Sequence, residues 1–220
     1  MRLFRVAVPV LVLMASLAVA ATLPAAPSSA SSTDEPGLVV GTDPSGIVER
    51  LTETIIATMR DGQSLGFDGR VERLGPVMNE VFDFRRMTEI AVGRQWQSFT
   101  ADERDRLVDA FGRMSIATFA ARFDRYTGQS FDVAEPRSGL REAVIVPTRL
   151  VRPRGDPVSL DFVVSETSEG VRVIDVYLGS TMSELAVRRS EYASILRSGG
   201  VEALIARIDT VIGDLRRRSS

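Results

Sequence analysis

The sequence predicts an α+β fold in which helices cover one face of a curved antiparallel sheet. Three observations lead to this prediction. Apolar residues recur at helical spacing from residue 43 to about residue 127. The period then changes to the alternation of strands over residues 130–178, and the links between those strands are too short for parallel crossovers. Helical spacing returns from residue 181 to residue 215.

The N-terminal 20 residues have the composition of a secretory signal peptide. Arg2 and Arg5 precede an apolar run, and the small residues Ala18 and Ala20 provide a cleavage site. A membrane span fits less well, because Pro9 breaks the run and no basic flank follows it. The sequence therefore predicts an exported protein whose signal peptide, residues 1–20, is cleaved.

The exported chain divides into three parts. Residues 21–43 are rich in Pro, Ser, Ala and Gly, follow no helical or strand period, and are predicted to form a disordered lead. Residues 44–215 are long enough for one domain with an ordinary hydrophobic core, which must supply the stability because the chain has no cysteine. Residues 216–220 are predicted to be a basic tail.

Four helices are predicted before the sheet. Asp43 is an N-cap followed by proline at the first helical position, which begins a helix that ends near Asp61. Thr100 and Glu103 form a capping box at the start of the longest of these helices. The four predicted helices span residues 44–61, 68–81, 84–92 and 101–127.

Four strands follow, at residues 130–135, 143–152, 158–165 and 171–178, separated by turns rich in Pro, Gly and Ser. In the third strand Phe162 and Val164 face one way and Asp161 faces the other, which is typical of a sheet with one covered face. Two more helices complete the domain. The first begins at a capping box of Thr181 and Glu184 and reaches about Arg197, and the second spans residues 201–215.

The composition excludes most catalytic chemistry. The chain has no histidine, cysteine or lysine, so its 27 basic residues are all arginine. It therefore lacks the usual base near neutral pH, the thiolate nucleophile, the Schiff-base amine and the His/Cys metal ligands. We expect no cofactor and no metal, and the net charge of −2 with interspersed signs argues against nucleic acid as a partner. A binding or carrier role is favoured.

Several motifs resemble those of the MlaC family, whose members carry phospholipids through the periplasm as the soluble component of an ABC-type lipid transport system. The resemblance covers residues 44–215, and the segment from Tyr177 to Tyr192 looks more like the hopanoid-associated HpnM branch. The motifs lie at residues 81–87, 92–96, 100–104, 126–129, 173–176, 183–185 and 188–200.

The resemblance implies an NTF2-like body whose helices and sheet enclose an apolar cavity for acyl chains, with the ligand a phospholipid or a hopanoid-type lipid. It also implies a periplasmic location, an inner-membrane ABC-type lipid transport complex as partner and an outer-membrane complex as a further candidate. We expect a cavity larger than about 300 Å³. The predicted lipid-binding residues are Phe111, Met114, Phe119, Phe123, Val146, Phe162, Val164, Val173, Tyr177 and Tyr192. Periodicity alone predicts only that they are buried.

An enzyme acting on a hydrophobic substrate is the alternative interpretation. Asp161 or Asp175 would serve as the base and Tyr177 or Tyr192 as the acid, which requires a carboxylate in the pocket with a raised pKa. A carrier needs an apolar pocket without converging acids. Arg188 and Arg189 fit either phosphate binding or surface ion pairing.

Overall fold

The computed structural model describes residues 43–179 and 182–219. The predictions for the signal peptide and nearly all of the lead lie outside these residues. In the described part, the α-helices are α1 Pro44–Arg60, α2 Gly62–Val81, α3 Phe84–Val92, α4 Ala101–Arg122 and α5 Glu184–Arg218, with a 3₁₀ helix at Gly93–Ser98. None of these helices is long and apolar enough to cross a membrane.

The predicted helix starts are confirmed at two caps. The Asp43 carboxylate accepts hydrogen bonds from the backbone amides of Ser45 and Gly46 at 3.0 and 3.1 Å. The Thr100 hydroxyl accepts from the Glu103 amide at 3.2 Å, and the Glu103 carboxylate accepts from the Thr100 amide at 2.8 Å. These side chains satisfy amides that the helices themselves leave unpaired.

Other helix bounds differ from the predictions. Helix α2 begins earlier than predicted and bends at Gly66, whose φ is +62°. Helix α4 ends at Arg122 rather than near residue 127. Helix α5 begins at an N-cap formed by Ser183, bends at Gly200, and continues to Arg218 through the predicted tail. Arg216 forms an ion pair with Asp68 at 2.7 Å, which holds the end of α5 against α2.

The sheet is an antiparallel meander, as predicted. Its strands are β1 Ser130–Val133, β2 Arg137–Ser138, β3 Val144–Val146, β4 Thr148–Val151, β5 Val158–Thr167, β6 Gly170–Leu178 and β7 Met182–Ser183. Pro147, which has no amide hydrogen, divides one predicted strand into β3 and β4, and both halves pair with the same edge of β5. Strand β6 pairs with the other edge of β5.

A β-bulge in β6 decides which side chains face the helices. Val164 pairs with Val173 and Val163 pairs with Asp175, so Ile174 is an extra residue between them. Val173 and Val176 are therefore both buried against the helices, although they are an odd number of positions apart. Asp175 and Tyr177 face the outer side of the sheet.

A buried arginine joins the ends of three helices. Arg70 is 2% exposed and donates from Nη1 to the Gly62 carbonyl at 2.6 Å and from Nε to the Ala120 carbonyl at 2.8 Å. Its Nη2 donates to the Ser219 carbonyl at 3.4 Å. The contacts at Ala120 and Ser219 satisfy carbonyls at the C-terminal ends of α4 and α5, which helix geometry leaves without partners, and the contact at Gly62 ties them to the start of α2.

Candidate functional site

An enclosed apolar cavity of about 70 Å³ lies between the helices and the inner face of the sheet. Leu160 and Phe162 of β5 and Val176 and Leu178 of β6 form its sheet side. The helices and β1 contribute bulky apolar side chains on the other sides: Ile55, Met78, Phe82, Met87, Phe111, Phe119, Phe123, Phe131 and Leu185. The cavity is thus lined almost entirely by hydrocarbon.

Local sequence patterns place these side chains. Leu160 and Phe162 are two residues apart in a strand, so both point to the inner face. Phe111, Ser115 and Phe119 are four residues apart along α4, which puts them on one face of the helix. The bulge at Ile174 then brings Val176 and Leu178 to the same side as Leu160.

Phenylalanine rings pack in a continuous row along the cavity. The ring centroids of Phe82 and Phe119 are 5.9 Å apart, those of Phe119 and Phe123 are 5.6 Å apart, and those of Phe123 and Phe131 are 6.1 Å apart. Their interplanar angles are tilted or edge-on, the arrangements that aromatic pairs favour. This row connects α2, α4 and β1 beside the space.

Arg122, Glu184 and Arg188 are the charged residues among those that line the cavity, and we call their part of the lining the mouth. Arg122 and Glu184 form an ion pair at 3.9 Å, and both side chains reach solvent. Further along, Ser115 and Thr118 donate their hydroxyl hydrogens to carbonyls of their own helix at 2.9 and 2.8 Å. The arginines are therefore the charged donors available to a ligand at the mouth.

Four of the ten predicted lipid-binding residues line this cavity: Phe111, Phe119, Phe123 and Phe162. Five others are buried in the adjacent core without lining the space: Met114, Val146, Val164, Val173 and Tyr192. Their role in lipid binding stays a prediction.

Tyr177 is placed differently from our expectation, because it faces the outer groove of the sheet. Simple alternation puts Tyr177 on the same face as Val173, and the bulge at Ile174 reverses that relation.

Sequence reasoning missed several lining residues, and some of them carried a usable signal. Leu160 alternates with Phe162 and Val164, so the strand pattern already placed it on the inner face. Phe131 lies in a predicted strand, and Phe82 directly precedes the cap of α3. Leu178 carried no local signal, because its orientation depends on the bulge.

The cavity is smaller than expected. Pockets that enclose a drug-sized ligand measure about 300 Å³ or more, whereas this one measures about 70 Å³. The phenyl rings and Leu185 of α5 pack toward the sheet and occupy much of the space between the helices and the sheet. An acyl chain would enter only if these side chains moved apart.

A wider groove of about 890 Å³ lies on the outer face of the sheet, but it is open and has a mixed polar lining. Asp161, Asp175 and Tyr177, which the enzyme alternative requires, all lie in this groove. Tyr192 is buried elsewhere, and its hydroxyl donates to Met114 Sδ at 3.8 Å. The candidate acids and bases therefore do not converge in the apolar cavity.

Both aspartates already have structural partners. Asp161 pairs with Arg137 at 3.5 Å. Asp175 accepts hydrogen bonds from the Ser183 hydroxyl and the Val176 amide, at 2.5 and 2.8 Å. Burial raises the pKa of Asp175, and these hydrogen bonds act in the opposite direction. Among the residues described, no group of acidic side chains is arranged to hold a metal ion.

Comparison with known proteins relates this fold to a family. The family model described as MlaC protein matches residues 49–210. A similar solved structure is that of a phospholipid-binding protein from Ralstonia solanacearum in complex with a phospholipid. It is 23% identical, the match covers 79% of this chain and 99% of that one, and the TM-score is 0.69. No curated protein sequence matches significantly. The family match spans most of the described domain, and this chain belongs to the MlaC family.

Proposed function

We propose that this protein is a periplasmic lipid carrier, which holds acyl chains in the apolar cavity and exchanges them with membrane-bound transport complexes. The observation that carries the proposal is the cavity, which is lined by phenyl and aliphatic side chains and, among the described residues, by three charged ones at the mouth. Membership of the MlaC family and the phospholipid in the related Ralstonia protein support it. The role is one of binding rather than catalysis.

The energetics of lipid binding require the cavity to widen. Burying a methylene group is worth about 0.8 kcal/mol, so two long acyl chains offset the cost of leaving a bilayer only when most of their length is covered. A cavity of 70 Å³ cannot cover them, so the lining has to separate when lipid enters.

The first half of α5 forms one side of the cavity, so its displacement would widen the space. It carries Glu184, Leu185 and Arg188 at the cavity, and it joins the second half at the bend at Gly200. Its link to α4 at the mouth is the ion pair of Arg122 and Glu184, an exposed contact of the kind that contributes about 1 kcal/mol or less.

The partners follow from the same role. A soluble carrier has to load and unload at membranes, and we propose an inner-membrane ABC-type lipid transport complex and an outer-membrane complex as the two sites of exchange. The ligand is a phospholipid or a hopanoid-type lipid. Native mass spectrometry of protein purified from its own host distinguishes the two by the mass of any lipid that co-purifies.

A charged residue in the cavity tests the proposal. Phe162 is only 1% exposed, so Leu160, which is half-buried, is the safer position. An unpaired carboxylate among acyl chains costs several kcal/mol, and Leu160→Asp should therefore abolish lipid retention.

The matched control is Ser159→Asp, because Ser159 faces away from Leu160 and pairs across the strands with Arg149. Lipid bound after incubation with vesicles is measured by mass spectrometry, and circular dichroism reports folding. Equal retention by both folded variants would contradict binding in this cavity.

A further inference from the structure

Arg188 has an unusual position for an arginine, because it lines an otherwise apolar cavity and is half-buried. It extends from α5 toward α4, where its Nη1 lies 3.6 Å from Met114 Sδ. Arginines in such surroundings are normally paired with an anion, because a desolvated charge is costly.

The nearby acids on its own helix are engaged elsewhere. Glu184, four residues before Arg188, pairs with Arg122 at 3.9 Å. Glu191, three residues after it, pairs with Arg207 at 3.7 Å. Both spacings would permit an ion pair with Arg188 along the helix. Within residues 43–179 and 182–219, however, no carboxylate forms one with it.

The remaining polar neighbours of Arg188 are uncharged. A thioether is a weak hydrogen-bond acceptor, and Met114 Sδ also receives the hydroxyl hydrogen of Tyr192 at 3.8 Å. Burial raises the pKa of Tyr192, so its hydroxyl stays protonated at neutral pH and brings no negative charge. The described polar neighbours of the Arg188 guanidinium are thus the Met114 thioether and the Tyr192 hydroxyl, which are both neutral and leave its positive charge without a counter-ion.

We infer that the Arg188 guanidinium binds the oxyanion of an acyl lipid whose chains occupy the cavity. This inference rests on the proposed carrier function and adds the chemical class of its ligand. Chains that enter between α4, α5 and the sheet leave their polar end at the mouth, within reach of Arg188. A planar guanidinium can donate two parallel hydrogen bonds to a phosphate or a carboxylate. The acceptor is therefore the phosphate of a phospholipid or the carboxylate of a fatty acid.

Lipids that share their chains but differ in the polar end test this inference. The protein without its predicted signal peptide is incubated with vesicles that contain dioleoylphosphatidylglycerol, dioleoylglycerol or oleic acid, and bound lipid is measured by mass spectrometry. The wild-type protein should retain at least one of the two anionic lipids about tenfold more than dioleoylglycerol, the scale of one charge-assisted hydrogen bond. Which anionic lipid is preferred identifies the oxyanion.

Variants then assign that selectivity to Arg188. Arg188→Gln should lower retention of the preferred anionic lipid about tenfold and leave dioleoylglycerol unchanged. Arg188→Lys keeps the charge but loses the bidentate geometry, so its retention of the same lipid should lie between those of the wild type and Arg188→Gln. Arg189→Gln is the matched control, because the neighbouring Arg189 lies against Gly93 and does not line the cavity.

The outcomes separate the two proposals. A wild-type protein that retains none of the three lipids contradicts the carrier function itself. Equal retention of anionic lipids and dioleoylglycerol by the wild type overturns the role of Arg188 and leaves the carrier function intact. This comparison uses the wild type alone, so it does not depend on whether the variants fold. Equal losses in Arg188→Gln and Arg189→Gln also overturn it.

Discussion

The Asp175 carboxylate accepts a hydrogen bond from the Ser183 hydroxyl at 2.5 Å, which ties strand β6 to the start of helix α5. The same carboxylate accepts from the Leu185 amide at 3.4 Å, while the Ser183 hydroxyl oxygen caps α5 by accepting from the Ala186 amide at 3.0 Å. Asp175 thus fixes the position where α5 enters the fold, next to the mouth of the cavity.

The ionisation of Asp175 predicts a pH dependence of stability. Burial raises its folded-state pKa above the unfolded value of about 3.9. As the pH falls through the folded pKa, the folded protein takes up this proton before the unfolded chain does, so the contribution of Asp175 to stability increases. That gain is complete below the unfolded pKa.

Urea unfolding of the wild type and Asp175→Asn at several pH values measures this effect. The free energy of unfolding of the wild type, relative to the variant, should rise between about pH 7 and pH 4. Subtracting the variant removes the contributions of the other carboxylates. A relative stability that stays constant or falls over that interval would contradict the assignment.

Substitutions on the outer face of the sheet should leave lipid binding unchanged. Asp161 and Tyr177 lie opposite each other on neighbouring strands and line the outer groove, away from the cavity. Asp161→Asn and Tyr177→Phe should therefore retain as much lipid as the wild type in the vesicle assay. Loss of a chemical conversion in these variants, with lipid binding preserved, would favour the enzyme interpretation.

Arg70 should be among the residues most important for stability. Arg70→Met leaves the carbonyls of Gly62 and Ala120 without their donor, and each hydrogen bond to a charged group is worth about 1.5–3 kcal/mol. We expect the free energy of unfolding to fall by about 3 kcal/mol or more, as measured in urea.

The control for Arg70→Met is Arg73→Met, also in α2. Arg73 is solvent-exposed and pairs with Asp61, and such a pair contributes about 1 kcal/mol or less. Similar losses in the two variants would show that the buried contacts of Arg70 are not what stabilises the helix ends.

The bend in α5 requires glycine at position 200. Gly200 has φ +67° and ψ −163°, a conformation that residues with a Cβ atom adopt at a cost of about 1–3 kcal/mol. No atom lies within 4 Å of the position where a Cβ would stand, so the expected loss in Gly200→Ala comes from the backbone alone.

Gly213→Ala, in the same helix but without a positive φ, should instead stabilise the protein by about 0.5–1 kcal/mol. Thermal or urea unfolding of both variants measures the contrast. A stabilised Gly200→Ala variant would show that α5 straightens at little cost.

Much of the fold was predictable from the sequence, because its signals act over a few residues. The cap at Asp43, the capping box at Thr100 and the bounds of α3 are confirmed. The antiparallel meander is also confirmed, because short turn-rich links leave few other ways to connect the strands. The division of one predicted strand at Pro147 follows from the missing amide hydrogen of proline, which is visible in the sequence.

The site was less predictable. Periodicity identified Phe111, Phe119, Phe123 and Phe162 as inward-facing, and they line the cavity. It identified Met114 in the same way, although Met114 packs into the adjacent core, because a period reports burial and not the neighbour against which a side chain is buried.

The sequence by itself determined the succession of helices, antiparallel strands and further helices, several of the helix ends and most of the residues that would be buried. Only the tertiary structure decided which of those residues line the cavity and which charges lack a partner. Tyr177 faces the outer side of the sheet because of the bulge at Ile174, and this bulge forms where β6 pairs with β5. Among the described residues Arg188 has no ion pair, because Glu184 and Glu191 are engaged by arginines distant in sequence. Contacts between distant segments leave no local pattern in the chain.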